Sequence, residues 1–472
     1  MIKKNLLSGR DRELVELAER YERARTENRH IYMDADDLAD LADWYGIRMK
    51  PDAAMEVVDY GLELHPDNAA LLTEKAYLLL DHYDIPAAQD IAYELDLSLP
   101  ETKILQAEIN ILNGQKTAAK RLLATIEDKE DLDTMIKVAY MYINTFQPGE
   151  ALKWLEPGIG KYADDEPFMA VLGDAYFGLG MTDEAMEVYD QLIDRNPYAS
   201  PYWFGLARCY FDKQLYDKVI EACDYAIVSD DEYPDAYLMK GHAYFHLQNE
   251  EKALENFTVA ARLGAVSQSF VDAFIGLGKV AREEWEGAYR HLLKAIDEYE
   301  DGESVVTLSI LYSNAALCLH RMGKDDEAQT YWSLALEADP EDAETYLMEG
   351  RANLEMKDYE RCEQCWEQAL YYAPTAHTWN EIGLAYLDNS RVEQARTAFE
   401  HVKELAPDYY DINEKLALSN LLLGDKEGFQ KYNQLCERPL TMDDFHRAQE
   451  YMKKENEENL LLALKRILDM QR

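Results

Sequence analysis

The sequence predicts an all-α fold, a right-handed superhelical solenoid of about twelve helical hairpins closed by a C-terminal capping helix. A small residue is followed by an aromatic residue three positions later and by a second small residue twelve positions later. The pattern recurs with a period of 34 residues, which indicates a repeat array rather than separate globular domains. The clearest copies are Gly173 with Tyr176 and Ala185, and Gly241 with Tyr244 and Ala253.

Three further features recur in the same register. An aromatic residue lies four positions before the first small residue, a large side chain lies near the middle of the second predicted helix, and a proline ends the unit. Because proline cannot continue a helix, it separates one hairpin from the next. The aromatic positions are Trp203, Tyr237, Tyr312, Tyr346 and Trp379; the large side chains are Tyr189, Phe257, Trp332, Trp366 and Phe399; the prolines are Pro66, Pro197, Pro340, Pro374 and Pro407.

At these positions the chain resembles the tetratricopeptide repeat family, in the form of a multi-repeat, bacterial-type scaffold. The resemblance covers roughly residues 35–440 and is clearest over 166–264 and 309–408. It implies that each unit is a pair of antiparallel helices, in which small residues let the backbones approach and aromatic residues fill the space to the next unit. Further units are expected around Ala42, Ala76, Ala107, Ala139, Gly276, Ala316, Gly350, Gly383 and Ala417.

We predict four segments. Residues 1–34 form an N-terminal helix or cap, 35–302 the N-terminal and central repeats, 303–440 the C-terminal repeats, and 441–472 an amphipathic capping helix. The last segment covers the final exposed face of the solenoid or, alternatively, docks onto the chain itself or dimerises. An acidic insertion at 297–303 is either a bend or contact loop, or an inert longer connection.

The chain is strongly acidic. It has 48 Lys and Arg residues against 92 Asp and Glu, a net charge of −44. Such a charge repels phosphate backbones and anionic lipid surfaces, so nucleic acid and direct membrane insertion are not expected. A solvated acidic surface that keeps the protein monomeric explains this charge; a dedicated site for basic partners is the alternative. The N-terminus lacks an apolar signal run and the six cysteines are sparse, which favours a cytoplasmic location.

The resemblance also implies a binding surface. In the family, the first helix of each unit lines a concave groove, and ligands touch positions 2, 5, 9, 12 and 13, where the first small residue is position 8. Phe177, Phe211 and Phe245 fall at position 12 of successive units, which we call the phenylalanine ladder. It offers a peptide apolar pockets beside hydrogen-bond donors, or else merely packs against the next unit. The predicted contact residues are Asp174, Phe177, Phe204, Arg208, Phe211, His242, Phe245 and His246.

The carboxylate clamp by which some family members bind acidic chaperone tails is not expected here. In those family members the clamp consists of Lys, Arg and Asn side chains. Position 9 of the first five units here instead holds Asp43, Tyr77, Glu108, Tyr140 and Asp174. Asp36, Asp40 and Asp43 share one predicted first helix and would sooner attract a basic segment, although a solvated acidic face explains them equally well.

No catalytic, metal or cofactor site is predicted. Cys362 and Cys365 form a single C-x-x-C pair, but Cys362 occupies a small buried position of its unit, and one pair cannot complete a four-ligand zinc site. Gly276 to Lys279 lacks the preceding strand and the glycine spacing of a phosphate-binding loop. The chain is therefore not expected to be an enzyme.

Two functions remain open. The first is a scaffold that binds a segment of a partner protein in the groove, without cofactor or turnover. The alternative is a sensor that binds a peptide or small molecule and is masked by its own C-terminal helix. The sequence does not identify the partner, because the repeat serves many different proteins.

Overall fold

The fold is helical throughout the part that the computed structural model describes, which is residues 11–27, 29–48, 50–299, 306–436 and 438–441. No strand occurs in those ranges. The chain divides into two compact units, residues 1–271 and 272–472. The predicted all-α class is confirmed, whereas the finer segment boundaries and the number of repeats stay predictions.

Helix α1 is followed by hairpins, each made of two consecutive helices. The N-terminal unit contains α1 (Asp11–Thr26), α2 (Ala35–Ile47), α3 (Pro51–Leu64), α4 (Ala69–Asp81), α5 (Ile85–Glu94), α6 (Pro100–Leu112), α7 (Lys116–Ala124), α8 (Leu132–Asn144), α9 (Pro148–Leu155), α10 (Glu166–Gly178), α11 (Thr182–Arg195), α12 (Ser200–Asp212), α13 (Tyr216–Ser229), α14 (Pro234–His246) and α15 (Glu250–Arg262).

The second unit continues the same alternation. Helix α16 (Gln268–Ala281) spans the division, and the unit further contains α17 (Trp285–Asp297), α18 (Leu308–Arg321), α19 (Asp325–Ala338), α20 (Ala343–Glu355), α21 (Tyr359–Tyr372), α22 (Ala376–Asp388), α23 (Val392–Leu405), α24 (Ile412–Leu422) and α25 (Lys426–Asn433). Two predicted features lie largely outside the described residues: the capping helix beyond Thr441, and residues 300–303 of the acidic insertion.

Short polar side chains and prolines mark where helices begin. The side chain of Asn68 accepts a hydrogen bond from the backbone N–H of Leu71 at the start of α4, and Asp131 accepts one from Thr134 at the start of α8. Each such cap stabilises a helix by about 1 kcal/mol. Prolines whose missing N–H needs no partner occupy the first position of α3, α6, α9 and α14.

The turn inside a hairpin reverses the chain through a residue with positive φ. Glycine occupies this position at Gly180 and Gly323, where φ is 73° and 74°. Other hairpins use residues with side chains, which point away from the core: Phe146 is 93% exposed and Tyr83 is 84% exposed. Between hairpins, the predicted terminal prolines lie outside the helices; Pro197, for example, lies between α11 and α12.

In several hairpins, a small residue on the first helix faces a large side chain on the second. Gly241 on α14 faces the ring of Phe257 on α15, and Gly383 on α22 faces Phe399 on α23. The predicted large side chains are all buried, with exposed fractions of 0–4%, and each contributes about 1.5–3 kcal/mol by leaving water. This confirms the predicted pairing; the buried large side chains are Tyr189, Phe257, Trp332, Trp366 and Phe399.

The N-terminal unit curves strongly along its length. The side chain of Arg48, just beyond α2, stacks on Trp44 with 4.1 Å between the guanidinium carbon and the ring centre. The same guanidinium lies 3.7 Å from a carboxylate oxygen of Asp230, just beyond α13. The first and sixth hairpins therefore come close together, and the first helices between them line a concave surface.

In the C-terminal unit, His320 connects three helices. Its Nδ1 lies 2.7 Å from Asp325 at the start of α19, and its Nε2 lies 3.2 Å from Glu355 at the end of α20. The hydrogen bond to Glu355 is the main reason that the pKa of His320 is raised above its ordinary value of 6.5. The protonated imidazole therefore stabilises this contact.

We expect Gly241→Ala to lower the free energy of unfolding by about 1–3 kcal/mol, because the added Cβ would lie 2.6 Å from two ring carbons of Phe257. Gly149→Ala is the matched control. There, in α9, a Cβ would meet only Leu179 at 3.8 Å, and the change should be neutral or slightly stabilising. Urea denaturation measures both variants, and equal effects would contradict the close packing at Gly241.

We also expect the contribution of His320 to the free energy of unfolding to decrease with rising pH. Because its folded-state pKa is the higher one, the stabilisation is complete below pH 6.5 and is lost as the pH rises through the raised pKa. The difference in thermal midpoint between the wild type and His320→Gln should shrink between pH 6 and pH 9. His377→Gln, which removes an exposed histidine, should show no such trend. A constant difference for His320→Gln would disprove the proposed charge.

Candidate functional site

The first helices of the initial four hairpins surround a cavity of about 570 Å³. Helices α2, α4, α6 and α8 each contact the next along the series, so their exposed faces form one surface. We call this space the acidic cavity. It is lined by Ala39, Asp40, Asp43, Ala69, Ala70, Thr73, Glu74, Tyr77, Leu80, Asp81, Leu99, Glu101, Thr102, Ile104, Glu108, Lys137, Tyr140, Met141 and Asn144.

The repeat pattern explains why these residues converge. Ala76 is the buried small residue of the second hairpin, at position 8. Positions 2, 5, 9, 12 and 13 of the same hairpin all line the acidic cavity, and they are Ala70, Thr73, Tyr77, Leu80 and Asp81. The cavity thus lies on the face at which the family resemblance predicts ligand contacts.

The walls of the acidic cavity are mainly anionic. Among the described residues, its lining contains six carboxylates and one ammonium group, that of Lys137. This ammonium lies 2.5 Å from Asp133 and 3.3 Å from Glu101, so its charge is already matched within the fold. Glu108 is only 7% exposed, which places one of the carboxylates in a weakly solvated position. Carboxylates are therefore the most frequent charged groups among the described residues of the lining.

Two tyrosines supply apolar surface beside these carboxylates. Tyr140 is 7% exposed, and Leu80 and Ile104 are buried next to it in the same lining. Burial raises the pKa of Tyr77 well above its ordinary value, and Glu108 raises it further. Both effects keep the Tyr77 hydroxyl protonated, so the cavity combines neutral aromatic surface with carboxylate oxygens.

Further along the unit, three of the predicted contact residues form one cluster. Asp174 accepts hydrogen bonds from the Tyr189 hydroxyl at 2.8 Å and from the Arg208 guanidinium at 2.9 Å. The same guanidinium stacks on Phe177, with 4.2 Å from its carbon to the ring centre. Asp174 is 8% exposed, so its charge is satisfied inside the fold. This cluster holds α10, α11 and α12 together.

A second cluster surrounds Phe211. Its ring contacts Tyr216 and His246 at centroid distances of 5.6 and 5.5 Å, and Tyr216 stacks on His246 at 4.6 Å. Phe245 lies 6.1 Å from His246 and is 49% exposed. Phe211 and Phe245 thus both contact His246. Of the three rings in the phenylalanine ladder, that of Phe245 is the most exposed.

The other two predicted contact residues face neighbouring aromatic rings. Phe204 contacts Tyr233 edge-on at 5.5 Å. His242 packs against Phe257 at 5.0 Å, and burial is the main reason that its pKa is lowered. At neutral pH His242 is therefore an uncharged ring against the hairpin core.

The structure brings the predicted contact residues together in part. Asp174, Phe177 and Arg208 form one cluster and Phe211, Phe245 and His246 another, while Phe204 and His242 lie against other rings. Whether any of them binds a partner stays a prediction. The sequence predicts Asp40 and Asp43 as acidic groove residues but does not single out Glu74, Asp81 and Glu101. The positions of these three residues within their repeats could have identified them.

Among the described residues, the cysteine pair has no neighbouring side chains of the kind that a metal ion needs. Cys362 and Cys365 are buried on α21, and burial raises the pKa of each thiol to about 12. Across the described ranges, no three His, Cys, Asp or Glu side chains come together in a way that could hold a metal ion. No described helix combines the length and apolar character needed to span a membrane.

Comparison with known proteins gives two kinds of similarity. Models of the tetratricopeptide repeat match residues 171–235, 234–263, 343–375 and 376–409. Anaphase-promoting complex subunit 7 of Dictyostelium discoideum is 23% identical over 66% of this chain and 53% of its own length. The Hsp70-Hsp90 organizing protein of Triticum aestivum is 21% identical over 47% of this chain and 39% of its own length.

The chain thus spans about half, or less, of the length of these curated relatives. Among solved structures, the Cut9-Hcn1 hetero-tetramer of the APC/C aligns with 82% of this chain and 90% of its own, at 15% identity and a TM-score of 0.37. The family models match hairpins in both compact units, α10–α15 in the first and α20–α23 in the second. Residues 171–263 and 343–409 of the chain are therefore tetratricopeptide repeats.

Proposed function

We propose that this protein is a non-catalytic scaffold that binds a segment of a partner protein on the concave face of its N-terminal unit. The observation that carries the proposal is the surface formed by the first helices, which encloses the acidic cavity and continues to the rings around His246. Such a face suits an extended or helical segment, because it presents apolar and aromatic side chains together with hydrogen-bonding groups.

The relatives support an assembly role. One is by name a subunit of the anaphase-promoting complex, and another is by name an organizing protein for Hsp70 and Hsp90. Neither partner is carried over to this chain, since its acidic cavity differs from the basic clamp expected for acidic tails. The phenylalanine ladder remains the second proposed contact region on the same face.

We expect the triple variant Phe177→Ala, Phe211→Ala and Phe245→Ala to lose a partner that the wild type captures from extract of its source cells. Recovery of that partner, quantified by mass spectrometry, should fall by about tenfold or more if the rings are anchors. The matched control replaces three exposed side chains outside the ladder by alanine, Tyr93, Tyr198 and Val228, which are 73%, 82% and 84% exposed. It should leave recovery unchanged.

The single variant Phe245→Ala distinguishes loss of a partner contact from unfolding. The ring of Phe245 is half exposed, so its removal disturbs little of the core. It should weaken capture of the same protein while keeping the thermal midpoint of the wild type. Equal capture by all variants would refute the ladder as a contact region.

A further inference from the structure

We infer that the ion pair between Arg48 and Asp230 is a clasp that closes the concave face of the N-terminal unit, and that its opening admits the partner segment. The inference rests on the proposed function and adds the regulation of the same face. Its grounds are the position of the contact, the lack of extensive helix packing around it, the way its two side chains are held, and the charges beside it.

The clasp joins the two ends of a curved series of hairpins. Arg48 follows α2 in the first hairpin, and Asp230 follows α13 in the sixth. A guanidinium nitrogen of Arg48 lies 3.7 Å from a carboxylate oxygen of Asp230. The first helices between these residues include α4, α6 and α8, which line the acidic cavity together with α2. The concave face therefore lies inside a turn of hairpins whose two ends meet at the clasp.

Side chains, rather than packed helices, bring the two ends together. Helix α2 packs against α3 and α4, which follow it along the chain. Among the described residues, neither helix of the first hairpin packs extensively against α12, α13 or α14. The clasp is longer than a hydrogen bond, and ion pairs between partly exposed side chains shift an equilibrium only about two- to fivefold. The two ends therefore separate at a small cost in free energy.

Each side chain of the clasp is held in place by its own hairpin. The guanidinium of Arg48 stacks on Trp44, which is 7% exposed and belongs to the core of the first hairpin. Oδ1 of Asp230 accepts a hydrogen bond of 3.1 Å from the backbone N–H of Glu232, and Oδ2 lies toward Arg48. Because both side chains are already ordered, closing the clasp loses little side-chain entropy.

The closed clasp also leaves one donor unsatisfied. Nε1 of Trp44 is buried and has no hydrogen-bond acceptor among the described residues. A buried donor without an acceptor destabilises the form that buries it. Since Arg48 covers the same ring, its departure lets water approach the ring and supply an acceptor. Trp44 therefore favours opening, whereas the ion pair favours closure.

Opposite charges flank the clasp on its two sides. Asp230 is followed by Asp231 and Glu232, and Arg48 is followed by Lys50; these three neighbours are exposed. Such charges attract one another over a Debye length of about 10 Å at 0.1 M salt. The two ends are therefore drawn back together after opening. A partner segment enters while the clasp is open and is retained when the clasp closes.

The test compares how fast a small and a bulky thiol reagent reach the concave face of the full-length chain. The substitution Thr73→Cys introduces a thiol in the acidic cavity. The six native cysteines are buried, and burial raises the pKa of each thiol to about 12, so they react slowly. The two reagents are N-ethylmaleimide and a rigid gold cluster that carries one maleimide.

We expect Arg48→Glu to raise the rate of the gold reagent at position 73 about threefold or more, because repulsion replaces attraction and the open fraction increases. N-ethylmaleimide enters without opening, so its rate should stay within about twofold. The charge swap Arg48→Glu, Asp230→Arg should restore the slow rate. The control Tyr93→Cys, at a 73% exposed position on α5, should react with the gold reagent equally fast in all three backgrounds.

A milder variant covers the case in which Arg48→Glu folds poorly, which faster labelling of the native cysteines would reveal. Asp230→Asn removes one charge of the clasp and should change the rate of the gold reagent in the same direction. Equal rates in the wild type and both variants, or a charge swap that stays fast, would overturn the clasp. Because the assay contains no partner, such a result leaves the proposed function standing, and failed capture from extract leaves the clasp standing.

Discussion

The close contact between a small residue on one helix and a large ring on the next determines the rest of this structure. Gly241 against Phe257 and Gly383 against Phe399 fix the distance between the two helices of a hairpin. Because the small residue lies at position 8, the residues at positions 5 and 9 turn toward the concave side. The packing rule inside the hairpin therefore also decides which side chains reach a partner.

Much of this was readable from the sequence. The repeat register gave the hairpins, the buried rings and the prolines between units, since these depend on short-range packing that one period already specifies. It also placed Asp43, Tyr77 and Glu108 at groove positions, but not the enclosure around them. That enclosure depends on how four successive hairpins are angled, which arises from many small differences in side-chain volume.

The register of the repeat also does not predict the contacts between side chains in the middle of the N-terminal unit. Arg208 and Asp174 occupy groove positions by register, yet the structure pairs them with each other and with Tyr189 and Phe177. A buried charge is stable only with a partner, so these groups stabilise the fold before they serve any ligand. The acidic cavity differs because carboxylates from three successive first helices, α2, α4 and α6, gather in its lining.

The most direct test of the concave binding face is site-specific photo-cross-linking in extract of the source cells. A photoreactive amino acid replaces Thr73 inside the acidic cavity in one variant and Tyr93, exposed on α5, in another. We predict a discrete cross-linked partner from position 73 only. Cross-links of equal yield from both positions, or from position 93 alone, would contradict binding on the concave face.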